Sequence, residues 1–141
     1  MKKIIILLLF VTALFSCSSD DESPFKDSKG KWILTQMTGM TANSQTTGSD
    51  MQWQEFYVLD ANGTFKKSRK KDGFVIEITG NYNQINSSTG TVLILTYSID
   101  SEIIGSCSSE LKEELNFQSE NVLLNTWQQC DGPGLKYEKE H

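Results

Sequence analysis

Residues 53–79 read WQEFYVLDANGTFKKSRKKDGFVIEIT and contain two strand–turn–strand patterns in succession. Trp53–Leu59 is rich in the aromatic and β-branched residues that favour strands. Asn62-Gly63 and Asp72-Gly73 each follow a strand-like segment, and both dipeptides supply the positive φ that a tight hairpin turn needs. From Phe74 onward, apolar side chains recur at every second position, which is the period of a strand with one apolar face. This stretch therefore predicts three sequential antiparallel strands.

The same alternation of strands and turns continues on both sides of this stretch. Thr91–Ile99 is the most apolar segment outside the first 16 residues, which makes it a candidate central strand. Loops are predicted at 41–50 and 100–109. Further strands are predicted at 32–38, 82–85, 113–118, 122–128 and 135–138. About eight strands with mostly short turns predict an all-β fold, an antiparallel up-and-down meander. Its closure, or near closure, into a barrel would leave no exposed sheet edge.

Length and charge narrow the classes of function. The chain has 141 residues, enough for one domain, and a formal net charge of −5. A leader of 16 residues carries Lys2 and Lys3 and no acid, so its removal takes the charge to −7. An acidic surface repels phosphate backbones and anionic lipid headgroups. The composition therefore argues against nucleic-acid binding and against electrostatic adhesion to a membrane.

The first 16 residues have the pattern of a secretory signal peptide. The basic pair Lys2-Lys3 precedes the apolar run Ile4–Phe15, which is too short to cross a membrane. The run ends in Leu14-Phe15-Ser16-Cys17, which resembles the lipobox of bacterial lipoproteins. That resemblance implies cleavage after residue 16, diacylglycerol on the sulfur of Cys17, and acylation of the new amine by a chain such as palmitate. Two or three buried acyl chains would hold the protein on a membrane almost permanently.

Residues 17–28 are polar and acidic and predict a flexible tether. Within them, Ser19-Asp20-Asp21-Glu22 resembles the acidic export signal of Bacteroidota lipoproteins that reach the cell surface. The expected location is therefore the outer membrane, with exposure at the cell surface. The periplasmic face of that membrane is the alternative.

The folded domain is predicted to span residues 29–141, and its first residues resemble a second known family. Gly30-Lys31-Trp32 is similar to the Gly-x-Trp that opens the first strand of lipocalins. Together with the strand count, it resembles the lipocalin-like domains of small Bacteroidota lipoproteins. The resemblance implies that Trp32 plugs the closed end of the barrel, with Gly30 before it. Simple core packing of Trp32 is the alternative.

Two cysteines remain after Cys17. In an exported chain, Cys107 and Cys130 are most simply a disulfide. A metal site is the competing interpretation, but there is no Cys-x-x-Cys, and the single histidine is His141 at the C-terminus. The sequence predicts neither a metal nor a cofactor.

Motifs for catalysis are lacking, so a non-enzymatic protein is expected. His141 is badly placed to be the buried base of a catalytic triad, and there is no Gly-x-Ser-x-Gly. The acids Glu110, Glu113 and Glu114 fit a solvated face better than a glycosidase pair. The aromatic residues predict core positions rather than a ligand box; they are Trp53, Phe56, Tyr57, Phe65, Phe74, Tyr82, Tyr97, Phe117 and Trp127.

The basic segment Lys66–Lys71 has two interpretations. Its five cations could form a patch for an anionic ligand or lipopolysaccharide. They fit better an exposed edge or hairpin strand that lysines protect from aggregation.

Two functions follow as hypotheses. The first is a lipocalin-like binding domain for a small apolar ligand at the barrel mouth, although side chains can also fill a barrel of this size. The alternative is a protein–protein module, an inhibitor or accessory subunit of a surface complex, acting through loops 41–52 and 100–110.

Overall fold

The computed structural model describes residues 27–141. The predicted signal peptide, the lipidation site Cys17 and the export signal Ser19-Asp20-Asp21-Glu22 lie outside the described residues. Within 27–141 there are nine strands and two short 3₁₀ segments, Gly48–Asp50 and Trp127–Cys130. The strands are Gly30–Thr38 (β1), Thr46–Thr47 (β2), Gln54–Leu59 (β3), Thr64–Lys71 (β4), Phe74–Ser87 (β5), Gly90–Tyr97 (β6), Lys112–Ser119 (β7), Val122–Asn125 (β8) and Gly134–Lys139 (β9).

The strands form one antiparallel sheet that closes on itself. Their order is β1-β3-β4-β5-β6-β7-β8-β9, and β9 pairs back onto β1 from Trp32↔Lys139 to Thr38↔Gly134. The two-residue β2 is an addition that pairs with β1 at Gln36↔Thr47. The predicted all-β meander and its closure into a barrel of eight main strands are therefore confirmed. The Asp72-Gly73 turn has positive φ at both residues, 51° and 82°, as a two-residue hairpin requires.

Strand β5 is long because it pairs with two neighbours at different heights. Its first half pairs with β4 and its second half, to Ser87, pairs with β6. The two pairings meet at Gly80, which lies opposite both Phe65 and Tyr97. A Cβ at this position would collide with the backbone oxygen of Thr96 and come within 2.7 Å of the Phe65 ring. Glycine is therefore required here by the close approach of its neighbours.

The two ends of the barrel differ. At one end, called the tight-turn end, lie the turns 60–63, 88–89 and 120–121 together with residue 27 and the C-terminus. At the other, called the loop end, lie the turn 72–73 and the segments 39–53, 98–111 and 126–133. The chain thus enters and leaves the barrel at one end and keeps its long connections at the other.

Trp32 lies near the tight-turn end and is wholly buried. Its indole Nε1 donates a hydrogen bond to the Ser28 carbonyl at 2.8 Å, and its ring packs edge-on against Phe117 at 5.8 Å between centroids. Gly30, at the start of β1, has a φ of 121°. The hydrogen bond of Trp32 thus fixes Ser28, just before β1, against the barrel interior.

The core consists of inward side chains from the strands, covered at the loop end by three residues of the connections: Met51, Trp53 and Ile103. Buried aliphatic residues of the strands include Leu34, Leu59, Ile78, Leu93, Leu95, Leu115, Leu123 and Leu135. Among the described residues, no helix has the length and apolar character needed to cross a bilayer.

Candidate functional site at the loop end of the barrel

The basic strand β4 lies inside the sheet and not at an edge. It pairs with β3 along one side and with β5 along the other. Lys67 has no exposed surface, and Arg69 is 8% exposed. The prediction of an exposed edge strand was therefore wrong, and so was the alternative of a basic surface patch for these two residues. Both point into the barrel because they share the inward face with Phe65.

Lys67 lies among three oxygen atoms in the interior. Its Nζ is 2.6 Å from Glu113 Oε1 and 3.2 Å from Glu55 Oε1, and it donates to the carbonyl oxygen of Ile103 at 2.7 Å. It also lies 5.1 Å from the centre of the Tyr57 ring. Three acceptors and a ring face replace the water that this ammonium gives up on burial.

Arg69, two residues further along β4, shares two of these partners, Glu55 and the Ile103 carbonyl. Its Nε forms an ion pair with Glu55 Oε2, and its Nη2 donates to the Ile103 carbonyl oxygen at 3.1 Å. Burial by itself lowers the pKa of Arg69, but the charge and hydrogen bond of Glu55 outweigh it and raise the pKa. One loop carbonyl thus lies between two buried cations.

Glu113 receives four donors. Beside Lys67, the hydroxyls of Tyr57 (2.6 Å) and Tyr97 donate to Oε2, and the amide of Gly105 donates to Oε1. The prediction of a solvated face was wrong for Glu113, which is 3% exposed, while Glu110 and Glu114 are exposed. Glu55 is likewise satisfied, since Tyr137 donates to its Oε1 at 2.6 Å.

The three tyrosines of this cluster resist ionisation. Burial, followed by the nearby carboxylates of Glu113 and Glu55, raises the pKa of Tyr57, Tyr97 and Tyr137 well above 10. Each hydroxyl stays a donor to a carboxylate. We call the four charged residues Lys67, Arg69, Glu55 and Glu113, with these three tyrosines, the interior network.

The interior network fixes the loop 98–111 over the barrel mouth. It binds the loop at two backbone points, the Ile103 carbonyl and the Gly105 amide. The Ile103 side chain is 1% exposed and packs into the core. Side chains of the interior network and Ile103 therefore occupy the barrel interior beneath the mouth.

A cleft of about 610 Å³ lies outside this closure, between the β4–β5 hairpin and the loop 98–111. We call it the mouth cleft. Its walls are Phe74, Val75 and Ile76 on the hairpin side and Ile103 on the loop side. Phe74 is 77% exposed and Val75 57%, so the prediction of a core position was wrong for Phe74.

Trp53 and Arg69 also line the mouth cleft, and Lys71, Asp72 and Glu102 add charges that are exposed to solvent. The guanidinium carbon of Arg69 lies 4.3 Å from the centre of the Trp53 ring. Trp53 is 8% exposed, and its buried indole Nε1 has no hydrogen-bond partner in the part of the chain that the structure describes. A buried donor without an acceptor is unusual and calls for a physical reason.

A second depression, of about 590 Å³, lies on the outside of the barrel between the β1–β2 connection and β8–β9. Its lining is mostly polar, with Met40, Leu124 and Leu135 as the larger apolar members. The side-chain amide of Asn125 is already engaged there, with the Pro133 carbonyl oxygen and the Leu135 amide. The mouth cleft is therefore the stronger candidate site.

The predicted disulfide is confirmed. Cys107 and Cys130 are bonded, with their Cα atoms 5.5 Å apart. The bond joins the loop 98–111 to the segment 126–133, both at the loop end. It is thus a second restraint on the loop that covers the mouth.

The sequence analysis missed the interior network, although the spacing of its charged residues along the strands indicates it. Lys67 and Arg69 stand two and four residues after Phe65, and Glu113 stands two before Leu115. In a strand, that spacing puts each charged residue on the same face as its apolar neighbour. Opposite charges on inward faces of different strands are the pattern that would have indicated buried pairs.

The described residues contain no group of three or more His, Cys, Asp or Glu side chains arranged to hold a metal ion. Comparisons of this chain with models of known protein families, with curated proteins and with solved structures find no match.

Proposed function

We propose that this chain is an exported lipoprotein, anchored by acyl chains on Cys17, whose lipocalin-like barrel is a non-enzymatic binding domain. Its binding site is the mouth cleft and not the barrel interior. The expected location is the outer membrane at the cell surface, with the periplasmic face as the alternative. The ligand is a small apolar molecule.

One observation favours the mouth cleft over the barrel interior as the binding site. Phe74 and Val75 expose much of their apolar surface beside a cleft that already contains the buried ring of Trp53. Covering these side chains with an apolar ligand removes that surface from water, which is favourable in proportion to its area. The interior offers no comparable gain, because Lys67 and Glu113 and their partners fill it.

The position of the chain terminus supports the same site. Residue 27 lies at the tight-turn end, so a tether from Cys17 joins the barrel there. The mouth cleft lies at the opposite end, between the turn 72–73 and the loop 98–111. A lipid-anchored barrel would therefore present this cleft away from its own membrane, where a ligand in water can reach it.

Anchoring is tested by mass spectrometry of the native protein. We expect an N-terminal Cys17 carrying diacylglycerol and an acylated amine, and an intact Met1 would contradict the lipoprotein assignment.

Protease treatment of whole cells distinguishes a protein exposed at the cell surface from one on the periplasmic face of the outer membrane. A protein with Asp20, Asp21 and Glu22 changed to their amides should become protected, whereas the amide variant of Asp27, just beyond the signal, should stay cleavable.

Binding is tested with the lipidated protein in lipid nanodiscs, using acetophenone as a small apolar probe and empty nanodiscs to correct for partition. The variant Phe74→Ser should weaken binding several-fold, because it removes the most exposed apolar wall of the mouth cleft. The matched control is Ile85→Ser, an exposed isoleucine on the same strand that does not line the cleft. Equal affinity in both variants would rule out this site.

The protein–protein module remains a second candidate because of where large apolar residues are exposed. Met40 is 68% exposed and lies in a connection of the loop end, as does the hairpin that carries Phe74. A partner would then be captured from detergent-solubilised outer membranes. That capture should depend on both Met40 and Phe74, whereas acetophenone binding should depend on Phe74 and not on Met40.

A further inference from the structure

We infer that the ligand of the mouth cleft is an uncharged apolar molecule with a hydrogen-bond acceptor, and that the indole Nε1–H of Trp53 binds that acceptor. The inference rests on the proposed function, because it assigns a chemical class to the ligand of the same site.

The two buried tryptophans of the barrel differ in one respect. Trp32 Nε1 donates to the Ser28 carbonyl oxygen at 2.8 Å, so this donor is satisfied inside the fold. Trp53 is nearly as buried, and its Nε1 has no partner among the described residues. An unpaired donor keeps its desolvation cost until an acceptor reaches it. A ligand that brings the acceptor therefore gains affinity that a hydrocarbon of the same shape does not.

The walls of the cleft define the body of the ligand. Phe74, Val75, Ile76 and Ile103 line it with apolar surface. The Nε1 atom is closed to solvent, so we expect binding to include a rotation of side chains around it. Side-chain changes of this extent are common when ligands bind.

The charges around the cleft favour an uncharged ligand. Arg69, next to the Trp53 ring, is already paired with Glu55. The exposed charges are one cation, Lys71, and two anions, Asp72 and Glu102. The lining therefore carries no surplus charge of either sign that would compensate a charged ligand for the water it loses on binding. A neutral acceptor such as a ketone, ester or amide carbonyl avoids this penalty.

The test compares three probes of similar shape on the lipidated protein in nanodiscs. Acetophenone is neutral with an acceptor, ethylbenzene lacks the acceptor, and benzoate is anionic. We expect acetophenone to bind about tenfold tighter than ethylbenzene, the effect of one buried hydrogen bond, and benzoate to bind more weakly than acetophenone. Acetophenone should also move the Trp53 indole N–H proton resonance downfield, and ethylbenzene should not.

The variant Trp53→Phe keeps an aromatic ring and removes the donor. It should abolish the preference for acetophenone over ethylbenzene, whatever the affinity of each probe becomes. Should this variant not fold, the resonance shift in the unmodified protein decides alone. Equal affinity for acetophenone and ethylbenzene, or an unmoved Trp53 resonance in the acetophenone complex, would overturn the inference and leave the proposed site standing. Failure of all three probes to respond to Phe74→Ser would instead overturn the proposed function.

Discussion

Lys67 Nζ lies 2.6 Å from Glu113 Oε1 in the interior of the barrel, and the two side chains come from strands that are not neighbours in the sheet. Neither reaches solvent to any extent, with side-chain exposures of 0% and 3%. Removing two charges from water is costly, and only good geometry with further hydrogen bonds compensates for it. The tyrosine hydroxyls, the Ile103 carbonyl and the Gly105 amide supply those bonds.

Replacing the ammonium should be much more harmful than replacing its exposed neighbour. Lys67→Met leaves Glu55 and Glu113 buried without this cation, and we expect a loss of about 3–5 kcal/mol in the free energy of unfolding. The control Lys66→Met removes an exposed ion pair with Glu77 and should cost less than about 1 kcal/mol. Urea denaturation of both variants measures the difference. A loss for Lys67→Met as small as that of the control would contradict the role given to the interior network.

Neutralising Glu113 should also release the loop over the mouth. In Glu113→Gln the side-chain NH₂ faces other donors, so the carboxylate's bonds to Lys67, Tyr57 and Gly105 cannot all be kept. We expect faster hydrogen exchange at the Gly105 amide and a loss of about 3 kcal/mol or more. The control is Glu114→Gln, next in the chain and exposed. Unchanged protection of Gly105 would show that the loop is held by other contacts.

Local sequence signals predicted the barrel but not the arrangement of its interior. The turns at Asn62-Gly63 and Asp72-Gly73 and the apolar run Thr91–Ile99 depend on neighbouring residues, and strands formed where they indicated. A lysine inside a barrel is favourable only if partners from other strands meet it. The composition of Lys66–Lys71 carries no information about Glu55 or Glu113, so the segment looked like a surface strand.

The exposed Phe74 was missed for a related reason. Aromatic residues in strands are usually buried, and Phe74 has the alternation of a core residue. Its position at the end of the Asp72-Gly73 hairpin places it beyond the filled interior, beside the mouth. At that end Ile103 and Trp53 belong to the buried core while Phe74 stays in solvent, a division that depends on tertiary contacts and not on the local pattern.

Alkaline pH should unfold the protein through its tyrosines. Burial, then the charges of Glu113 and Glu55, raises the pKa of Tyr57, Tyr97 and Tyr137 in the barrel, while the unfolded chain ionises near pH 10. The unfolded state therefore loses protons first. Their contribution to the free energy of unfolding is constant below about pH 9 and falls above about pH 10 by about 4 kcal/mol per pH unit for the three groups together.

Denaturant titrations between about pH 9 and 12, followed by circular dichroism and tyrosinate absorbance, measure this slope. Tyr97→Phe should reduce it by about one third, because one ionising group is removed. Ionisation of all three tyrosines in a protein with an intact dichroism spectrum would contradict the burial of their hydroxyls.

The close approach at Gly80 predicts a strong effect of one added methyl group. In Gly80→Ala the new Cβ collides with the Thr96 backbone oxygen and the Phe65 ring. These two groups lie on β6 and β4, on opposite sides of β5. We expect a loss of about 3 kcal/mol or more in stability. Asn81→Ala, one residue along β5 and exposed, should change stability by less than about 0.5 kcal/mol. Thermal denaturation of the two variants compares them directly.

The disulfide should stabilise the barrel mainly by restricting the unfolded chain. Cys107 and Cys130 are 23 residues apart, and closing a loop of that length is worth about 3 kcal/mol in the chain-entropy estimate. In urea denaturation, the free energy of unfolding of the double variant Cys107→Ser, Cys130→Ser should be lower by that amount. Adding dithiothreitol should lower the free energy of unfolding of the wild-type protein to the same value and leave that of the variant unchanged. Since β7 and β8 pair with each other between the two positions, we expect the native contacts of the loop end to persist when the bond is absent. A loss in the variant accompanied by exposure of the Gly105 amide would show instead that the bond acts mainly on the folded protein, by holding the loop 98–111 over the mouth.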